Sequence, residues 1–272
     1  MRSTTVLDQH TPVAGGPDVR DLLVLWQHPD TRELVPIGRF TYDGHTYTYD
    51  YTRAAATVAD LRPLPGLDDL NHHYVSERIP AVFAQRVMQE DRPDFAEYVD
   101  TLGLDRVTAT PWEQIVQSGG MRAGDTLQFM QVPRVIDGRA LARFLVNGVS
   151  HVCEGERRFS GRTMSLTLEE QEAALRHLQV GDFVMVEAED DNPKDPSATL
   201  VTSEGVPIGW VPRAMSVGVR ELMRHASLRP TVVRIGPPET PPHLRLVLDI
   251  DVAAPHGFEF DREGRWAPIG GQ

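Results

Sequence analysis

The stretch IGRFTYDGHTYTYDY, residues 37–51, limits what this chain can fold into more than any other. Apolar and polar residues alternate almost strictly on both sides of Asp43-Gly44, which is the period of a half-buried strand. Asp-Gly accepts the positive φ values of a type I′ turn, so a β-hairpin is predicted here. The apolar run DLLVLW, residues 21–26, suits a buried strand beside it. Together they place a strand meander at the start of the fold.

A helical stretch follows. SERIPAVFAQRVMQE (76–90) sets Val82, Phe83, Val87 and Met88 at helical spacing, with Ser76 as a cap and Pro80 near the first turn. DRPDFAEYVDTLGL (91–104) reads as a second helix capped by Asp91 or Asp94 and closed at Gly103. Thr110-Pro111-Trp112-Glu113 has the capping-box spacing of a third, ending at Ser118-Gly119-Gly120. DTLQFMQVP (125–133) returns to strand.

From about Gly138 the chain is mostly strand, with a helix over 165–178 capped at Ser165 or Thr167, a hairpin turning at Glu204-Gly205, and a helix over 212–225. Two last strands lie in 231–236 and 244–252. The expected fold class is α+β: an N-terminal strand meander with three helices, then a small OB-like β-barrel with one or two helices packed on it. Residues 1–20 read as a flexible tail, 21–135 and 138–252 as two modules, and 253–272 as a fraying C-terminal tail.

No apolar run approaches the ~20 residues that span a bilayer, and no secretory signal is recognisable. One cysteine, Cys153, excludes an internal disulfide and fits a reducing compartment, so a cytoplasmic protein without a membrane partner is expected. The net charge of −12 argues against nonspecific duplex binding, so any nucleic-acid site must be a local basic one. No nucleophile elbow, zinc-protease helix, phosphate loop or kinase signature is present, so no catalytic activity, cofactor or metal is expected.

Two features point to a ligand. The first is the acidic, proline-broken knuckle DDNPKDP (190–196), which precedes a strand pair closing on Trp210-Val211-Pro212-Arg213. Counted as a calcium loop it fails, because its sixth residue is Asp195 and its twelfth Val201. An Asx-type turn built on Asn192 and Asp195 fits better. The second feature is cationic. In the 212–225 helix, Met215, Val219, Leu222 and Met223 form an apolar stripe, and Arg213, Arg220 and Arg224 fall opposite it, a spacing suited to phosphates. ERRFSGR adds Arg157, Arg158 and Arg162 around Phe159, read as a loop. Cys153 with His151 and His72-His73 lacks the paired ligands of a structural zinc site.

Asn192-Pro193-Lys194-Asp195, Ala198-Thr199-Leu200-Val201, Gly205, Ile208-Gly209-Trp210 and Val211-Pro212-Arg213 together resemble the core of a HIRAN domain, and Phe144–Val152 resembles its first strand. The resemblance spans about 140–252. It implies capture of single-stranded DNA at a 3′ end, with Asn192 and Asp195 at the terminal nucleotide, Asp195 accepting the 3′-hydroxyl, and His151 at a stacking position. Lys194 stands where one family member has an aromatic residue, and Ser150-His151-Val152 where that member has Arg-Tyr-Tyr. The segment 21–135 resembles the N-terminal subdomain of HipA-type proteins, through the 37–51 hairpin and the 93–104 and 110–129 stretches. That implies docking of a helix-turn-helix or other protein partner. The functional expectation is binding of single-stranded DNA or DNA ends, and the alternative is a protein-interaction adaptor.

Overall fold

The computed structural model describes residues 20–270, apart from residues 108 and 123. The expected tail at 1–20 lies outside them except for Arg20.

Strands β1 (Asp21–Gln27), β2 (Leu34–Tyr42) and β3 (Tyr47–Tyr51) form the meander. Strand β4 (Tyr74–Ser76) follows, then helices α1 (Ala81–Ala84), α2 (Phe95–Thr101) and α3 (Pro111–Ser118), and strand β5 (Leu127–Gln131). These strands make one antiparallel sheet in the order β4-β3-β2-β1-β5. One face carries an aromatic core that includes Phe40, Tyr49, Phe83, Trp112 and Phe129. From the other face Leu23, Leu25 and Met130 enter the core of the second half. Both faces of β1 are therefore covered, which is why its sequence is a continuous apolar run.

The second half contains β6 (Arg134–Ile136), β7 (Arg139–Leu145), β8 (Glu156–Phe159), β9 (Arg162–Ser165), α4 (Leu168–His177) and β10 (Met185–Ala188). It continues with β11 (Thr199–Ser203), β12 (Val206–Trp210), α5 (Arg213–His225), β13 (Thr231–Ile235) and β14 (Leu246–Ala253). The fold is α+β, but the expected barrel is corrected: the strands form separate antiparallel sheets, β13-β14-β7-β6, β10-β11-β12 and β8-β9. Single bridges, Asn147 to Trp210 and Phe183 to Thr231, tack the first two together without a closing ladder. The chain turns away at Gly148 (φ 67°) directly after the first bridge.

Local signals hold where a side chain satisfies the backbone. Thr110 accepts a bond from the Glu113 amide, and α3 ends at Gly119 with φ 66°. Thr167 and Glu170 close a complete capping box on α4. Other expectations are corrected. Tyr42 pairs with Tyr47, so the first hairpin turns through four residues, not a type I′ pair. Asp43 Oδ1 accepts from the amides of His45 (2.8 Å) and Thr46 (2.7 Å), which holds its carboxyl below the ordinary range. Positive φ at both turn residues occurs instead at Asp137-Gly138, Ser160-Gly161 and Glu204-Gly205.

The 76–90 helix shrinks to the four residues of α1, and Ser76 ends β4 rather than capping it. Side chains take over its backbone: Arg86 Nη1, from the segment itself, donates to the Val82 carbonyl, and Gln114 Oε1, from α3, accepts from the Met88 amide at 2.8 Å. Asp94 precedes α2 but gives no side-chain cap, because its carboxylate binds Arg92. ERRFSGR is the β8–β9 hairpin, not a loop. Residues 254–270 are not a frayed tail. Phe258, Phe260 and Trp266 are buried in the second-half core; the amides of Arg53 and Ala54 in the first half donate to the carbonyls of Ala267 and Arg265, and the Ile269 amide donates to the Tyr51 carbonyl.

Candidate nucleic-acid interface

Strand β10 runs straight into the knuckle at Glu189. Asn192 folds the knuckle as an Asx turn: its Oδ1 accepts from the amides of Lys194 (2.9 Å) and Asp195 (3.1 Å). Asp195 Oδ1 accepts from the Ser197 amide at 2.8 Å. Its second carboxylate oxygen has no hydrogen bond among the described residues. The knuckle is thus built before any ligand arrives, and what it presents is that oxygen and the exposed Lys194 ammonium.

A residue the sequence reading passed over holds the knuckle in place. Glu189 is only 4% exposed. Its Oε2 accepts from Asn192 Nδ2 at 2.5 Å and from the Trp210 indole at 2.7 Å, and its Oε1 lies 3.5 Å from Arg157. A buried carboxylate is tolerable only when paired and hydrogen-bonded, and this one is both. In an acidic run nothing marks Glu189 as the buried acid. Strand alternation points the other way, since it puts Glu189 on the side of Met185, which is exposed.

Arg157 and Trp210 serve mainly this scaffold. The Arg157 guanidinium sits 4.9 Å from the centre of the indole and donates to the carbonyls of Val152, His151 and Glu154. The indole is also packed on Gly148, where a Cβ would come within 2.5 Å of the ring. His151 is exposed and pairs with Glu154 at 2.9 Å. That bond, with smaller help from Lys194 and Arg157, keeps the Glu154 carboxyl below its ordinary range. Arg158 pairs with Asp191 at 3.0 Å. His151, Arg157, Arg158, Asn192, Lys194, Asp195 and Trp210 therefore belong to one neighbourhood, drawn from the turn after β7, strand β8, the knuckle and the end of β12.

Arg213, Arg220 and Arg224 lie along α5, which begins three residues after Trp210. At ~1.5 Å rise per residue they span about 16 Å on one side of the helix. Arg224 is exposed and the other two are half-buried. Among the described residues none of the three has an ion-pair partner. Val217, 65% exposed, lies on the same side. Arg162 is drawn to the opposite end of the β8–β9 hairpin, against Phe159 and Glu187.

Cys153 donates to Gln171 Oε1 at 3.1 Å, and burial pushes its thiol up. Among the described residues no three His, Cys, Asp or Glu side chains converge on a metal-sized site. Nor is any described helix long and apolar enough to cross a membrane. Comparison with family models, with characterised proteins and with solved structures gave no match to this chain.

Proposed function

We propose that this protein binds single-stranded DNA or DNA ends, without chemistry of its own, through the knuckle and the arginine side of α5. The observation that carries the reading is the set Arg213, Arg220 and Arg224. In a chain with 39 acidic and 27 basic residues, these three arginines on one helical side have no carboxylate partner among the described residues. Unpaired guanidinium groups suit a row of phosphates, where counterion release supplies the affinity. The HIRAN-like order of residues in 190–213 supports the same reading, with Asp195 as acceptor for a terminal hydroxyl and Lys194 as a point charge beside it.

Fluorescence anisotropy with labelled oligonucleotides tests this. Binding is expected to weaken steeply with salt, and the Arg213→Ala, Arg220→Ala, Arg224→Ala triple variant is expected to lose most of it. A 3′-phosphate in place of the 3′-hydroxyl is expected to weaken binding further, and Asp195→Ala to abolish that preference. Unchanged affinity in the triple variant sinks the reading.

A second reading, a protein-interaction adaptor, has one observation in its favour. Strand β4 is an open edge of the first sheet, and its Val75 is 59% exposed. A partner that adds a strand there would be lost on Val75→Lys.

A further inference from the structure

Strand β10 and its approach are extended from Phe183 to Glu189; burial alternates from Phe183 to Val186, and the outward face then becomes covered at Glu189. Val184 and Val186 point into the core, at 1% and 5% exposed. Phe183 and Met185 point outward, at 58% and 37% exposed. Glu187 follows on the same side, bound to Arg162, and then Glu189, bound to Arg157 and Trp210. One face of one strand therefore runs from an exposed aromatic ring to the base of the knuckle.

The far end of that face is rigid. The Gly181 and Val184 amides bond to the carbonyls of Val232 and Pro230, and the Val232 amide bonds to the carbonyl of Asp182. Asp182 also accepts from the Gln179 amide at 2.7 Å. Phe183 is thus held outward by the backbone around it and is not a loose loop residue. The Arg229 guanidinium lies 5.0 Å from its ring centre and has no ion-pair partner among the described residues. A fixed, exposed ring with an unpaired guanidinium over it suits a flat, anionic partner: the ring takes a π-face and the cation a phosphate.

We propose that Phe183 and Arg229 form a second contact point, a platform for an unpaired nucleobase of the strand whose end sits at the knuckle. This rests on the nucleic-acid reading above. Six residue steps at ~3.3 Å separate Phe183 from Glu189, about 20 Å. At ~3.4 Å per stacked nucleotide, that distance corresponds to about six nucleotides.

The test is a length series of labelled oligothymidylates, about 3, 6 and 12 nucleotides long, against the full chain and its Phe183→Ala, Phe183→Trp and Arg229→Ala variants. The 12-mer is expected to lose about tenfold in affinity with Phe183→Ala, in the range of one lost stack, and to recover with Phe183→Trp. Arg229→Ala is expected to weaken the 12-mer and lower its salt dependence. The 3-mer is expected to bind all four proteins alike. Unchanged 12-mer affinity in Phe183→Ala overturns the platform while leaving the knuckle reading intact. An equal loss on the 3-mer overturns it as well, since the ring would then act through the fold. A wild-type chain that binds none of the three removes both. Self-association lost in Phe183→Ala, with oligonucleotide binding unchanged, would give the patch to a second copy of the chain instead.

Discussion

Phe40 and Phe159 are both fully buried rings on strands, yet they sit in very different surroundings. Phe40 packs against Tyr47, Phe83, Trp112 and Phe129, inside a core that fills one whole face of the first sheet. Phe159 belongs to a small satellite core with Val152, Leu166 and Leu200, directly under the knuckle. The first region is held by buried area. The second is held by polar geometry: the Asx turn, the Glu189 bonds, and Arg157 stacked on Trp210. A ligand end placed on the second kind of scaffold can open locally without disturbing the first, because the two draw on separate cores.

The strongest way to break this contrast is to remove what joins the regions. Ending the chain after Ala254 deletes Phe258, Phe260 and Trp266 and the backbone bonds to Arg53 and Ala54. Each fully buried aromatic side chain contributes ~1.5–3 kcal/mol, so the loss is comparable to a whole domain's stability of ~5–15 kcal/mol. The truncated chain is expected to lose cooperative thermal unfolding. A transition within a few degrees of the full chain's would show that the segment merely lies on the surface.

Phe40→Ala comes next, at ~3–5 kcal/mol, read from denaturant midpoints. The knuckle should be untouched by it, so oligonucleotide affinity measured well below the midpoint should not change. Glu189→Ala inverts the pattern. It strands the Trp210 indole N–H and the Asn192 amide, at ~1–3 kcal/mol for each buried group left unpaired. The cost is expected as faster hydrogen exchange in 148–165 and 189–198 rather than as a global shift, and Glu189→Gln should restore most of the protection. Exchange that quickens equally in the first sheet would mean the two regions unfold as one.

Much of the fold is legible in the sequence because it is decided locally. A threonine three residues before a glutamate caps α3 and α4 whatever surrounds it, and the apolar stripe of α5 is a matter of period. What could not be read depends on partners far along the chain. The 76–90 spacing is helical, but Arg86 turns to Asp125 and Gln114 binds the Met88 backbone, so only four residues close as helix. Phe258, Phe260 and Trp266 are buried one at a time in an irregular segment, and such burial leaves no period to detect. The same holds at the knuckle. Its Asx turn follows from Asn192 and Asp195, whereas the burial of Glu189 exists only once β8 and β12 close over it.

The smallest effects separate the two halves by pH. In the first half, burial pushes the Tyr51 phenol up to about 12 and holds the Tyr49 phenol well above its ordinary value. A group whose folded pKa is raised stabilises fully below its unfolded value, near 10 for tyrosine, and loses that contribution as pH climbs toward the folded one. In the second half, burial pulls the His243 imidazole below its ordinary 6.5. The unfolded chain then binds the proton first, so this stability is present above pH ~6.5 and falls away as the pH drops. Urea midpoints are expected to decline on both sides of neutrality, with Tyr49→Phe flattening only the alkaline branch and His243→Gln only the acidic one. If either variant altered both branches, the halves would be titrating as a single cooperative unit. The contrast between an area-held sheet and a geometry-held knuckle would then apply to local opening alone.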